Sequence, residues 1–169
     1  MRTIETTLYK FDELSDKAQE DAIKWITDNW HDLYNWGDDN AESLEKFCKF
    51  FGCTSDYSYD LYGRSWAKIT INSDYTLEQG LSDLLPDNKG FIFKSCPFTG
   101  YYMDEVLLQP IRDYLDNPTD DDIQSLMDKS ASAWLDACIQ DVEYAYSDEG
   151  IRDMIEANDY EFTKDGTPC

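Results

Sequence analysis

A chain that carries 36 acidic residues against 14 basic ones, a formal net charge of −22, folds only if buried apolar surface outweighs the repulsion among its own charges. This chain has that surface. Five Trp, twelve Tyr and eight Phe make 15% of it aromatic, and 41% is hydrophobic. Acidic disordered tails lack such residues, so an ordered fold is expected. Its 169 residues fit one domain, read as spanning 1–169.

The same charge sorts the possible ligands. Nucleic acid and anionic membranes both require Lys and Arg, so the expected partner is a basic protein or nucleoprotein surface, with no direct nucleic acid and no membrane. No apolar run reaches the ~18 residues of a membrane span. Cys48, Cys53, Cys96, Cys138 and Cys169 are odd in number and irregular in spacing, and no signal-like segment opens the sequence. Free thiols in a reducing, cytoplasmic setting follow. A salt-adapted proteome is a competing source of such acidity.

Periodicity places the elements. Residues 3–9 alternate and are β-branched, which predicts a first strand. Ser15 reads as an N-cap, with Ala18, Ala22, Ile23, Trp25 and Ile26 at helical spacing up to about Trp30. A second helix is expected over 39–51, with Leu44, Phe47 and Phe51 inward and Gly52 at its end. Alternation over 56–62 and 66–71, around Gly63-Arg64, reads as a β-hairpin. Residues 76–103 carry Pro86, Gly90, Pro97 and Gly100 and read mostly as loop. Helices follow over 103–116, with Pro110 allowing a kink, and over 119–146 and 148–158. Tyr160-Glu161-Phe162-Thr163 then reads as a last strand, stopped by Asp165-Gly166. The expected fold is α+β: a small antiparallel sheet of N-terminal strand, central hairpin and C-terminal strand, packed by four or five helices.

No constellation names a reaction. One histidine, His31, and no paired CxxC leave no zinc site and imply no cofactor. Asp38-Asp39-Asn40 and Asp120-Asp121-Asp122 lack the spacing and Gly of a calcium loop, and carboxylates at helix starts are favoured by the dipole in any case. His31-Asp32 is the only base beside a candidate nucleophile system. An enzyme is therefore not expected, although a hydrolase using Asp–Glu clusters and a divalent ion is the third reading.

Charge distribution says more. Residues 104–161 hold seventeen acidic residues against Arg112, Lys129 and Arg152, a net of −14, and 12–45 hold eleven against two, a net of −9. The middle, 46–103, is near neutral. On the long helix Asp121, Asp128, Asp136 and Glu143 recur at seven- or eight-residue steps, opposite the apolar stripe. That is a carboxylate row spaced roughly 10–12 Å. Duplex DNA carries one charge per about 1.7 Å of axis, so −22 matches roughly 11 base pairs, about 37 Å. A compact chain of this length is about 40 Å across. Asp120, Asp122, Asp148 and Glu149 extend the candidate acidic surface. Ordinary solvation of an acidic surface is the bland alternative.

Three segments resemble a family of small acidic proteins from bacteriophages and prophages. They are Leu8-Tyr9-Lys10-Phe11-Asp12-Glu13-Leu14-Ser15 with Ala18 and Ala22, then Thr99-Gly100-Tyr101 with Asp104 and the helix Val106–Ile111, and finally Ile155 to Gly166. The resemblance covers about a quarter of the chain and implies a phage gene acting in a bacterial cytoplasm, with no catalytic residues to carry over. Acidic phage proteins of this size include inhibitors of restriction enzymes and CRISPR effectors. By that analogy the expected function is anti-defence, as an anti-CRISPR or anti-restriction inhibitor: acidic helices dock on a basic nucleic-acid-binding surface of a host complex. The alternative is an antitoxin-like or regulatory protein that binds a basic partner through the near-neutral aromatic loop, with Phe91, Phe93, Phe98, Tyr101 and Tyr102 as anchors.

Overall fold

In the computed structural model, residues 7–29, 38–59, 64–71 and 88–169 are described. They form an α+β fold of five α-helices of ten residues or more, with one antiparallel β-hairpin. Ser15 opens α1 (Asp16–Asp28), its hydroxyl accepting the Ala18 N–H. Ala18, Ala22, Ile23 and Ile26 are buried, whereas Trp25 faces out. The next helix, α2, is Asp38–Phe51, and it buries Ser43, Leu44, Phe47 and Cys48. Its Asp38 and Asp39 stand at the positive end of the helix dipole. Gly52, at φ +65°, ends it in the left-handed conformation that suits glycine.

That turn leads directly into β1 (Cys53–Ser58), earlier than the expected 56–62, and β1 pairs with β2 (Trp66–Ile71). The register sets Cys53 opposite Ile71 and Ser58 opposite Trp66. Cys53, Ser55, Ala67, Ile69 and Ile71 take the covered face, and Ile69 is fully buried. Gly63 and residues 76–87 of the 76–103 stretch lie outside the described residues. Of the remainder, 88–92 is helical rather than loop, and turns follow up to Tyr102.

Helix α3 (Met103–Asp116) has the expected bounds and runs through Pro110, giving up one backbone hydrogen bond there. Helix α4 is Ile123–Ala145, beginning later than the expected residue 119. Side-chain bonds hold the preceding turn instead: Thr119 Oγ1 donates to Asp121, and Asp122 accepts the Ser125 N–H at 2.8 Å. Helix α5 (Asp148–Ala157) opens on Ser147, whose hydroxyl accepts the Gly150 N–H.

The chain ends meet as the alternation predicts, for the part that is described. Tyr9 and Phe162 exchange two backbone hydrogen bonds of 2.9 Å, and Phe162 also bridges Pro168. Residues 3–6 of the expected first strand lie outside the described residues. The contact is an isolated pair of bridges and not an extension of the hairpin, whose sheet has two strands. Toward α1 the pairing stops because Phe11–Glu13 turns at once into a 3₁₀ helix.

Two compact units result. The described residues of 1–36 with Asp141–Cys169 form one, and those of 37–140 form the other. The first packs Phe11, Leu14, Ala22, Ile26, Ile151, Ile155 and Phe162 together. The second has the larger core, in which Leu44, Phe47, Ile69, Met103, Leu107, Ile111, Met127 and Trp134 are buried. No helix among the described residues is long and apolar enough to cross a membrane.

Candidate functional site: exposed carboxylates and an aromatic loop

The α4 amphipathy sets its carboxylates. Leu126, Met127, Trp134, Cys138 and Val142 are buried, and Trp134 Nε1 donates to the Asn40 carbonyl at 3.0 Å. That leaves Asp128, Asp136 and Glu143 exposed on the other side. Asp128 and Asp136 belong to the larger unit and Glu143 to the smaller. Asp128 also accepts from Gln124, which reaches the Ile69 carbonyl as well.

Asp121 differs from the other three. It precedes the helix, is only half-exposed, and accepts from Lys129 Nζ at 2.6 Å, Thr119 Oγ1 at 2.5 Å and Ser125 Oγ at 3.0 Å. The Lys129 ammonium, helped by the two hydroxyls, lowers its pKa to about 2. Its charge is spent locally, so it contributes less to an outward field than its place in the sequence row implies. Asp120 and Asp122 are exposed beside it.

In the smaller unit Asp148 and Glu149 are exposed in the first turn of α5. The sequence reading missed two neighbours. Asp153 and Glu156 are also exposed, and with Glu149 they stand at i, i+4, i+7, one face of the helix. At 1.5 Å rise per residue they are about 6 and 4.5 Å apart along the axis, a denser row than that of α4. The i, i+4, i+7 acidic spacing was the available signal. Asp153 accepts a hydrogen bond from the Tyr144 hydroxyl, and that bond raises the tyrosine pKa.

The aromatic loop divides differently. Phe98 is packed among Phe47, Phe50 and Phe91, with ring centroids 5.6–6.2 Å apart. Tyr101 is half-buried against the same core, and Tyr102 is exposed. Helix α3 braces the loop. Fully buried Asp104 accepts the N–H groups of Phe98, Thr99 and Gly100 at 2.7–3.3 Å, and Thr99 Oγ1 at 3.0 Å. Arg112 donates to the carbonyls of Ile92 and Lys94, both at 2.8 Å, and pairs with Glu105. Arg112 lowers the Glu105 pKa, and Glu105 also accepts the Cys96 N–H. These three charges of the −14 segment are internal struts.

The chain matches no family profile, and no curated protein or solved structure is significantly similar to it. The segments quoted for the phage-family resemblance have structural work to do. Tyr9 and Phe162 bridge, the Phe11 and Phe162 rings meet edge to face, and Lys10 pairs with Asp159 at 2.8 Å and Glu161 at 3.4 Å. Thr99 and Asp104 form the loop brace.

The Cys53 thiol is not activated. Burial, with Cys48 nearby, pushes the Cys53 thiol up to about 12, so it stays protonated at neutral pH. All five cysteines are free. No group of three or more His, Cys, Asp or Glu among the described residues could hold a metal ion. His31 and Asp32 lie outside those residues.

Proposed function

We propose that the protein is a phage-encoded anti-defence inhibitor, of the anti-CRISPR or anti-restriction class. It docks acidic helix faces on a basic nucleic-acid-binding surface of a host complex in the bacterial cytoplasm, and it blocks that surface by occupancy rather than chemistry. The observation that carries the reading is the Glu149–Asp153–Glu156 face of α5, an ungapped row of exposed carboxylates on a chain of net charge −22. Rows of this kind meet Lys and Arg side chains that otherwise hold phosphates, and the net charge steers encounter with a basic target. The phage-family resemblance supports the setting.

The test is competition. Purified CRISPR effectors and restriction enzymes are mixed with the protein before labelled DNA is added, and DNA binding is read by mobility shift. One complex is expected to lose its DNA as the protein is titrated in, with inhibition weakening as salt rises. If every complex tested retains its DNA at saturating protein, the reading is wrong.

A further inference from the structure

Residues 46–51 of α2 and 88–94 beside the aromatic loop hold four lysines and no carboxylate, and this changes what that surface can bind. Lys89 and Lys94 lie over the loop's phenylalanine rings, Lys46 reaches the loop backbone, and Lys49 is exposed beside Phe50 in α2. Lys46 is engaged, pairing with Glu42 at 2.8 Å and reaching the Phe98 carbonyl at 3.4 Å. Lys49, one turn further along α2, forms no ion pair among the described residues, and neither do Lys89 and Lys94, although the chain has 36 acidic residues. The Lys89 ammonium sits over the Phe93 ring at 5.3 Å and that of Lys94 over Phe91 at 5.9 Å. Phe91 stacks on Phe50 of α2 with centroids 5.0 Å apart, and Phe93 remains 40% exposed. A basic partner would be repelled here.

We propose that this lysine–phenylalanine surface, built from α2 and residues 88–94, docks a short acidic segment of a partner protein that also bears apolar side chains. The three ammoniums, which form no ion pair among the described residues, supply the charge complementarity, and Phe93 supplies the apolar contact. Single-stranded nucleic acid fits less well. Base stacking needs open ring faces, whereas Phe91 is covered by Phe50 and Lys94, and Phe93 carries Lys89. A continuous polyanion would also be repelled by the net charge of −22, while a short acidic segment brings few charges. The surface lies within the larger unit and does not depend on the α5 carboxylate face.

A fluorescein-labelled peptide alternating glutamate with phenylalanine serves as the probe, read by anisotropy on the full chain. Wild type is expected to bind it saturably. The triple variant Lys49→Gln, Lys89→Gln, Lys94→Gln should weaken binding about tenfold, the combined effect of three exposed ion pairs. Phe93→Ser should weaken it several-fold, and Glu149→Gln with Asp153→Asn should leave it unchanged. All these positions are on the surface, and matching melting temperatures show that the variants fold. No saturable binding, or a triple variant equal to wild type, overturns the proposal. Tighter binding of an oligothymidylate would make the occupant nucleic acid. A wild-type dimer in sedimentation that the triple variant dissolves would make it a second copy. Either result also overturns it.

Discussion

At Gly166 the backbone adopts φ +87°, and a Cβ there would stand 2.1 Å from the Ala18 carbonyl oxygen. Both facts demand glycine, and the close approach explains why Ala18 and Ala22 are small on the buried side of α1. Gly166→Ala combines left-handed strain with a backbone clash, each worth about 1–3 kcal/mol. A stability loss of about 2–4 kcal/mol in denaturant unfolding is expected. An unchanged midpoint would mean that the C-terminal turn does not pack on α1. Asp121 gives a pH-dependent counterpart. Its carboxyl titrates at about 2 in the fold and near the ordinary value of about 3.9 when unfolded. Its pairing therefore stabilises the fold above about pH 4, and that contribution is lost as pH falls through about 2. Asp121→Asn should lower the melting temperature at pH 7, and the difference from wild type should close by about pH 2. A difference that persists undiminished at pH 2 would assign the effect to the hydrogen bonds with Thr119 and Ser125 and not to charge.

Elements were legible where local pattern decides them. The bounds of α3 and α5 follow from apolar spacing, and Ser15 acts as the N-cap its position suggests, while the capping by Ser147 was not singled out in the sequence. The start of α4 was displaced because Pro118-Thr119 resembles a helix opening, while the Thr119–Asp122 side chains stabilise a turn. Trp25 sits at a helical step from the buried positions, yet nothing in one sequence says how wide the covered stripe of α1 is. Pairing of the two ends was readable from the alternation around Phe162, but that this pairing stands apart from the hairpin was not. The C-terminal segment accordingly carries a testable role. Deleting 160–169 removes fully buried Phe162, both of its bridges and the turn at Gly166. The truncated protein is expected to lose the smaller unit's helices in circular dichroism and to aggregate. A monomer with full helical signal would show that Phe162 is dispensable.

Across the molecule the decisive question is whether charge acts as a field or as a few contacts. The sequence made the total plain, but it could not separate the loop-bracing charges Asp104, Glu105 and Arg112, or locally paired Asp121, from carboxylates that only face water. It also did not reveal that Lys89 and Lys94 lie over the Phe93 and Phe91 rings. A folded chain of net charge −22 repels itself, and added salt shortens the Debye length from about 10 Å at 0.1 M to about 3 Å at 1 M. The melting temperature should thus rise with sodium chloride. The variant Glu149→Gln, Asp153→Asn, Glu156→Gln keeps side-chain size while removing three charges from one exposed face. It should melt at or slightly above the wild-type temperature in low salt, because repulsion along α5 falls. Inhibition of the basic target should weaken by about tenfold or more, with a shallower salt dependence, since fewer ion contacts form in the complex. Replacing Asp128 and Asp136 on α4 by Asn tests the sparser row in the same assay. If the α5 variant inhibits as well as wild type while the α4 variant fails, the docking face is the larger unit's. If both inhibit fully and salt has no effect, the carboxylates serve only to solvate the surface, and mimicry of a nucleic-acid backbone is ruled out.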